Sequence, residues 1–379
     1  MENALNLEFI HKKPKIIIAC TGLGHVNRGS ESHIRECFDI LKENEYFQLY
    51  LLKGAGPSKS NEKNIYCFKR KSKINLSLSK LLNRSKIQIE HLSFFLFSIP
   101  QIISVCPQII YTPNYYLSLY YFSLRNLLNL KYKIILIQSG FDLPSFEKLD
   151  FVHQLLNTNK SRLILKGFPE ERQIVIPHGF HVSIFSHSLD KLKFKKRYNL
   201  PTDKLIILSV GVLNASEKRF DYLISEMKCS VCSNLFLFGV GDFDDETSSI
   251  IEQAERQLGN QNFKFLSLSS DEMPEVYACA DVICQPSMGE GFGKVYVEAL
   301  LSGIPLICHD FTVSREVLEN NAIYGDLSKQ GELAYLLNNM EGLISNHNID
   351  EGRNFAISKY EWDNLKEKYL DMFKYFYLK

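Results

Sequence analysis

The chain has 379 residues, 45% of them hydrophobic and 23% charged, with a net charge of +1. That length is long for one core and comfortable for two domains, and the composition excludes a disordered or disulfide-framed protein. The charge is uneven: up to Val182 there are 24 Lys and Arg against 14 Asp and Glu, and beyond it 20 against 29.

The first strand, "KIIIAC", runs into a glycine-rich turn, "CTGLGHVNRGSE", that opens the amphipathic helix "SHIRECFDILKEN". A dinucleotide fingerprint needs three glycines and an acid after the second strand. Gly22 and Gly24 are present, but Asn27 replaces the third glycine, and the second strand, "FQLYLL", ends on Lys53 and Gly54. An NAD site is thus disfavoured, and the loop offers His25, Arg28 and Glu31 to a polar or anionic ligand. The dense basic segment "FKRKSKINLSLSKLLNRSKIQIE" follows, led by Lys69, Arg70, Lys71 and Lys73. Such a run is either a solvated face or an attraction to an anionic partner or surface.

The longest apolar stretch, "HLSFFLFSIPQIISVCPQIIY", carries polar residues with Pro100 and Pro107, which predicts a helix and then a buried strand rather than a membrane span. The helical segment "YLSLYYFSLRNLLN" and the strands "KIILIQ" and "RQIVIP" continue the alternation, with His153 of "FVHQLL" opening a strand between them as a structural residue. "SLDKLKFKKRYNLPTD" reads as a polar interdomain linker. A second series follows: "LIILSVG", "NLFLFGVG", "FKFLS", "DVICQPS" and "PLICHD". Strands alternating with helices predict a parallel sheet in each half. In the last segment, Trp362, Leu365, Tyr369, Met372, Phe373 and Phe376 form one helical stripe that must be buried, and we expect it to pack on the first domain. Of the nine cysteines, Cys20, Cys106, Cys284 and Cys308 read as reduced core thiols, and the pair Cys229 and Cys232 lacks the second pair a zinc site needs.

The sharpest pattern is "PSMGEGFGKVYVEALLSGIP". It predicts a strand end, a glycine-bracketed loop, and a helix that starts near Gly293 and stops at Gly303 before Pro305. A helix start of this kind binds diphosphate through its amides and dipole. Glu298, about one and a half turns inside, can accept hydrogen bonds from a ribose diol, and Glu290 precedes the helix. Both acids could instead merely offset the helix dipole, although that leaves the glycines unexplained.

This segment resembles the retaining glycosyltransferases of family 4, which carry an E-x7-E motif. "LSVGVLNASEKRFDYLI" is similar to that family's lysine loop, "FLFGVGD" to its glycine turn, "VYACADVICQPS" to the approach to the motif and "IPHGF" to the segment before the linker. The resemblance implies an α/β GT-B fold: two facing Rossmann-like, doubly wound domains with a cleft between them. The acceptor domain would comprise residues 1–182 with 361–379, and the donor domain residues 183–360. It makes Glu290 and Lys218 catalytic, and it places the donor against Glu298, Gly291, Phe292, Gly293, Lys294, Val295, Gly211 and Arg219. Arg219 would supply the charge of a family arginine whose place is taken by Val212. Gly22, Gly24, His25 and Arg28 would form an acceptor or phosphate loop. The family histidine after the fourth strand is replaced by the Gln138–Gly140 segment, and Asp142 is a further contact to the sugar.

The expected activity is transfer of a sugar, with retention, from a nucleoside-diphosphate sugar to a hydroxyl acceptor in glycan, glycolipid or cell-envelope polysaccharide synthesis. An epimerase or glycogen-type synthase of the same fold and a non-catalytic nucleotide-sugar binder remain alternatives. We expect no essential metal or other cofactor, no nucleic-acid partner, and an acceptor that is anionic or lipid-linked. The chain opens without a basic-then-apolar leader, so a cytoplasmic protein is expected, peripheral to an anionic membrane face through its first domain.

Overall fold

In the computed structural model of the protein, the residues described are 13–26, 28–138, 143, 145–185, 190–345 and 348–379. The chain folds as two compact units, Met1–Gly179 with Trp362–Lys379, and Phe180–Glu361.

The first unit holds a seven-stranded sheet of order β3-β2-β1-β4-β5-β6-β7. Its strands are β1 (Lys15–Cys20), β2 (Gln48–Lys53), β3 (Glu62–Asn64), β4 (Ile109–Thr112), β5 (Lys133–Gln138), β6 (Phe151–Gln154) and β7 (Gln173–Val175). All pairings are parallel, with Ile17 opposite both Tyr50 and Ile110. Ile16 to Cys20 are buried on both faces, which is why this run is apolar without alternation. Because β2 and β4 flank β1, the order reverses at the glycine-rich turn, where ligands of doubly wound sheets bind.

Strand β3, "EKN", escapes sequence analysis because it is short and polar. Its anchor is electrostatic: buried Glu62 receives Lys53 Nζ at 2.5 Å and Arg35 at 3.0 Å. Burial acts to raise the Glu62 pKa, but the hydrogen bonds from Arg35 and Lys53 outweigh it and hold the carboxyl at about 2. In β6, His153 accepts from the Tyr111 hydroxyl at 2.7 Å and donates to the Ile176 carbonyl at 2.8 Å, a structural role.

The last helix, Trp362–Leu378, packs on this unit. Phe373 meets Tyr111 edge-on at 5.2 Å, and Phe376 stacks on Phe151 at 4.2 Å. All six stripe residues are buried. Gly179 accommodates the indole, since a Cβ there would lie 2.3 Å from Trp362.

The second unit holds a six-stranded sheet of order β10-β9-β8-β11-β12-β13. Its strands are β8 (Leu205–Val210), β9 (Leu235–Val240), β10 (Phe263–Leu266), β11 (Val282–Gln285), β12 (Leu306–His309) and β13 (Ile323–Gly325), again all parallel. The segment expected to be a linker is instead helical over Lys191–Arg197. Asp190 caps it, Phe194 is buried, and Lys191 and Arg197 pair with Asp281 and Glu275 at 2.7 and 2.6 Å. Its lysines made it look solvated, yet they are how it docks. A second correction concerns Cys106: it caps the helix Lys86–Val105 in a left-handed conformation (φ 51) and is exposed rather than in the core.

Candidate active site

In the second unit the helix Lys294–Ser302 starts after Gly293 and ends at Gly303, both left-handed at φ 80 and 66. A Cβ on Gly293 would lie 2.4 Å from the Tyr296 ring, so this glycine is demanded by both backbone and packing. The first turn of any helix presents amide N–H groups that have no acceptor within it. Phe292 is buried, its ring stacked 6.5 Å from Phe180, and the Lys294 ammonium lies 5.2 Å from the Phe180 ring centroid. Gly291 and Val295 are half-buried beside them.

Glu290 and Lys218 come together as an ion pair, both side chains largely buried. Sequence patterns separated them by 72 residues. Lys218 lies in the loop between β8 and the helix Phe220–Cys229, and three features fix it. Asn214, itself buried, accepts from the backbone N–H of Lys218 at 3.0 Å and of Glu217 at 3.2 Å. Glu246 accepts from the N–H groups of Ala215 and Ser216, each at 3.0 Å. Gly211 adopts φ +143, and a Cβ there would strike the Lys218 chain at 2.7 Å. Gly241, the second glycine of the expected turn, seals the other side, since its Cβ would lie 1.9 Å from the Gly211 carbonyl oxygen.

Arg219 adopts φ 56, and its Nη1 donates to the Leu327 carbonyl at 2.6 Å while the guanidinium covers Tyr222 at 4.2 Å. Through that nitrogen Arg219 braces the loop against Leu327. Glu298 is half-buried, and its Oε2 accepts from the Tyr277 hydroxyl at 2.6 Å. Asn214, Glu246 and Tyr277 went unnoticed in the sequence because no spacing rule links them to the motif.

In the first unit, the loop glycines have packing reasons of their own. A Cβ on Gly24 (φ +92) would lie 2.1 Å from the Ala55 carbonyl, and one on Gly22 would lie 2.3 Å from Glu31 Oε1. Arg28 is exposed at the N-cap of the helix Gly29–Leu41. His25 Nε2 lies 2.9 Å from Glu90 Oε1, and Arg70 Nε donates to Glu90 Oε2 at 2.6 Å. Burial acts to raise the Glu90 pKa, yet the His25 hydrogen bond and the Arg70 charge lower it below the usual range. Glu90 therefore ties the loop to the basic segment.

His25, Glu90 and Cys67 bring ligand atoms within 4.8 Å of one another, the one such group among the described residues. Both Glu90 oxygens are already hydrogen-bonded, the Arg70 cation adjoins them, and burial pushes the Cys67 thiol up to about 12. These features suit an ion-pair network better than a cation. Gln138 lies buried in β5, accepting from Gln154 at 2.9 Å. Ser139, Gly140 and the expected sugar contact Asp142 lie outside the described residues.

Two Rossmann-like units, each built on a parallel sheet, define the GT-B fold class. The description "Glycosyl transferases group 1" belongs to the family whose sequence pattern matches residues 190–360, nearly the whole second unit. Among similar proteins, an uncharacterized glycosyltransferase of Methanocaldococcus jannaschii is 26% identical over 54% of this chain and 55% of its own. A phosphatidyl-myo-inositol mannosyltransferase of Mycobacterium leprae is 28% identical over 50% of each chain. The chain thus spans about half the length of these curated relatives. Among solved structures, sucrose-phosphate synthase of Thermosynechococcus elongatus superposes with a TM-score of 0.77 at 15% identity, covering 96% of this chain and 98% of that one. HepE of Anabaena, in complex with UDP and glucose, gives a TM-score of 0.75 at 15% identity, covering 95% and 99%. Among the described residues no helix is long and apolar enough to cross a membrane.

Proposed function

We propose that the protein is a retaining glycosyltransferase that takes a sugar from a nucleoside diphosphate and delivers it to a hydroxyl acceptor in glycan, glycolipid or cell-envelope polysaccharide synthesis. The observation that carries this reading is the convergence, within one unit, of a glycine-capped helix start, a buried-loop lysine and two glutamates. The second-unit match to a glycosyl transferase family and the similarity to a phosphatidyl-myo-inositol mannosyltransferase support it. In this reading Glu298 accepts hydrogen bonds from the donor ribose. The helix amides and Lys218 stabilise the charge that develops on the leaving diphosphate. Glu290 stands beside the transferred sugar, and Lys218 exchanges its partner Glu290 for the diphosphate when the donor binds. A phosphate oxygen of the leaving group takes the acceptor proton, and with Lys218 and the helix amides supplying the positive charge, no metal or other cofactor is expected.

The first unit, with His25 and Arg28 at its loop, would receive the acceptor. Its basic excess favours an anionic or lipid-linked acceptor and a peripheral position on an anionic membrane face of the cytoplasm. Incubation with UDP-, GDP- and ADP-sugars, with and without added acceptor saccharides or lipids, tests the reading. Transfer with an unchanged anomeric configuration, followed by NMR, is expected. Epimerised donor, inverted product, or binding without turnover would each reject it.

A further inference from the structure

Glu298 is not left to find its own orientation. The helices Met273–Cys279 and Lys294–Ser302 bring Tyr277 against it, 21 residues away in sequence, with the hydroxyl 2.6 Å from Oε2. Tyr277 is fully buried and its ring meets Phe185 at 6.0 Å, edge-on. Burial, and then the Glu298 charge, push the Tyr277 phenol well above its usual range. It therefore keeps its proton and donates, in a charge-assisted hydrogen bond of the stronger class. A glutamate must surrender rotamer freedom to hold a ligand, and a preformed bond moves that cost from binding into folding.

We propose that Tyr277 is a positioning residue for nucleotide recognition: by fixing one oxygen of Glu298 it presents the carboxylate to the donor ribose and sets the preference for a ribose diol over a sugar lacking it. The inference rests on the assignment of Glu298 to the ribose made above. It reaches further, because it makes ribose selectivity a property of two residues on two helices.

The test is calorimetric titration of UDP, GDP and ADP, each beside its 2′,3′-dideoxy counterpart, into the wild type, Tyr277→Phe, Glu298→Gln and the double variant. Tyr277→Phe keeps the ring and its packing, while Glu298→Gln leaves Tyr277 untouched and supplies a second arm. The wild type should prefer the ribonucleotide by about tenfold or more. Tyr277→Phe should lose most of that preference by weakening the ribonucleotide alone, and adding it to Glu298→Gln should change nothing further. Equal weakening of both nucleotides, or no weakening, would overturn the role of Tyr277 while leaving Glu298 in place. A wild type that does not distinguish the two sugars, or binds none of these nucleotides, would overturn the ribose assignment itself and the Tyr277 inference with it.

Discussion

Glu290 and Lys218 neutralise one another, so the pair has opposite meanings for binding and for chemistry. Replacing Glu290 with Gln frees the ammonium and removes a carboxylate from a site proposed to take a diphosphate. Affinity for the nucleoside diphosphate should then rise severalfold while turnover falls by about a hundredfold, as titration and steady-state kinetics would show. Weaker nucleotide binding in Glu290→Gln would contradict this account. At Gly211, φ +143 and the nearby Lys218 chain mean that Gly211→Ala must move both backbone and lysine. We expect a loss of about 1–3 kcal/mol in stability, measured by urea unfolding, together with at least about tenfold lower turnover; full activity would show that Lys218 is not held there for catalysis. The helix start that carries Glu290 and Glu298 was legible in the sequence because glycines and a proline bound it, whereas Lys218 was singled out only by the resemblance of its loop to a family's. Tyr277 and Asn214 were not, since their importance lies in hydrogen bonds across the fold rather than in local spacing.

Among elements, the helix Lys294–Ser302 was readable because glycines in left-handed conformation bound it. The helix Lys191–Arg197 was not, because five charged residues concealed one buried Phe194 and a set of ion pairs. A similar lesson applies to the basic segment of the first unit. Arg70 is spent on Glu90, so its replacement would leave a buried carboxylate short of a partner and would not report on the surface. Lys71, Lys73, Lys80 and Lys86 are exposed, and Ile74, Leu81, Leu82 and Ile87 are exposed among them. Replacing these four lysines with Ser should abolish sedimentation with phosphatidylglycerol vesicles and leave nucleotide affinity unchanged. Binding by the wild type should itself fade as salt shortens the screening length below ~8 Å. Equal sedimentation of both proteins would make the segment an ordinary solvated face.

At the level of the whole molecule, acid should loosen the first unit before it touches the second unit's site. His91 and His153 are buried, and burial lowers each pKa to about 4, against ~6.5 in an unfolded chain. The unfolded chain then binds more protons between those values, so their stabilising contribution is complete above pH ~6.5 and is lost as pH falls toward ~4, at about 1.4 kcal/mol per pH unit for each. The lowered carboxyls of Glu62 and Glu90 add losses only once pH falls below ~4.5. Urea unfolding between pH ~7 and ~4.5 checks the sign, and a flat profile would be inconsistent with neutral buried histidines. The two-unit α/β architecture itself was legible from alternating apolar runs, whereas β3 and β13, each three residues long, carry too little pattern to read.

The central claim is that the second unit uses its helix start, Lys218 and Glu298 to break the bond between a sugar and a nucleoside diphosphate. The most direct measurement is release of nucleoside diphosphate from UDP-, GDP- and ADP-sugars by the wild type and by Lys218→Ala. The account predicts release from at least one donor, with Lys218→Ala lowering it about a hundredfold or more while the donor still binds. A wild type that binds a donor without releasing diphosphate in the presence of every acceptor class offered, or a Lys218→Ala variant that releases it at the wild-type rate, would contradict it.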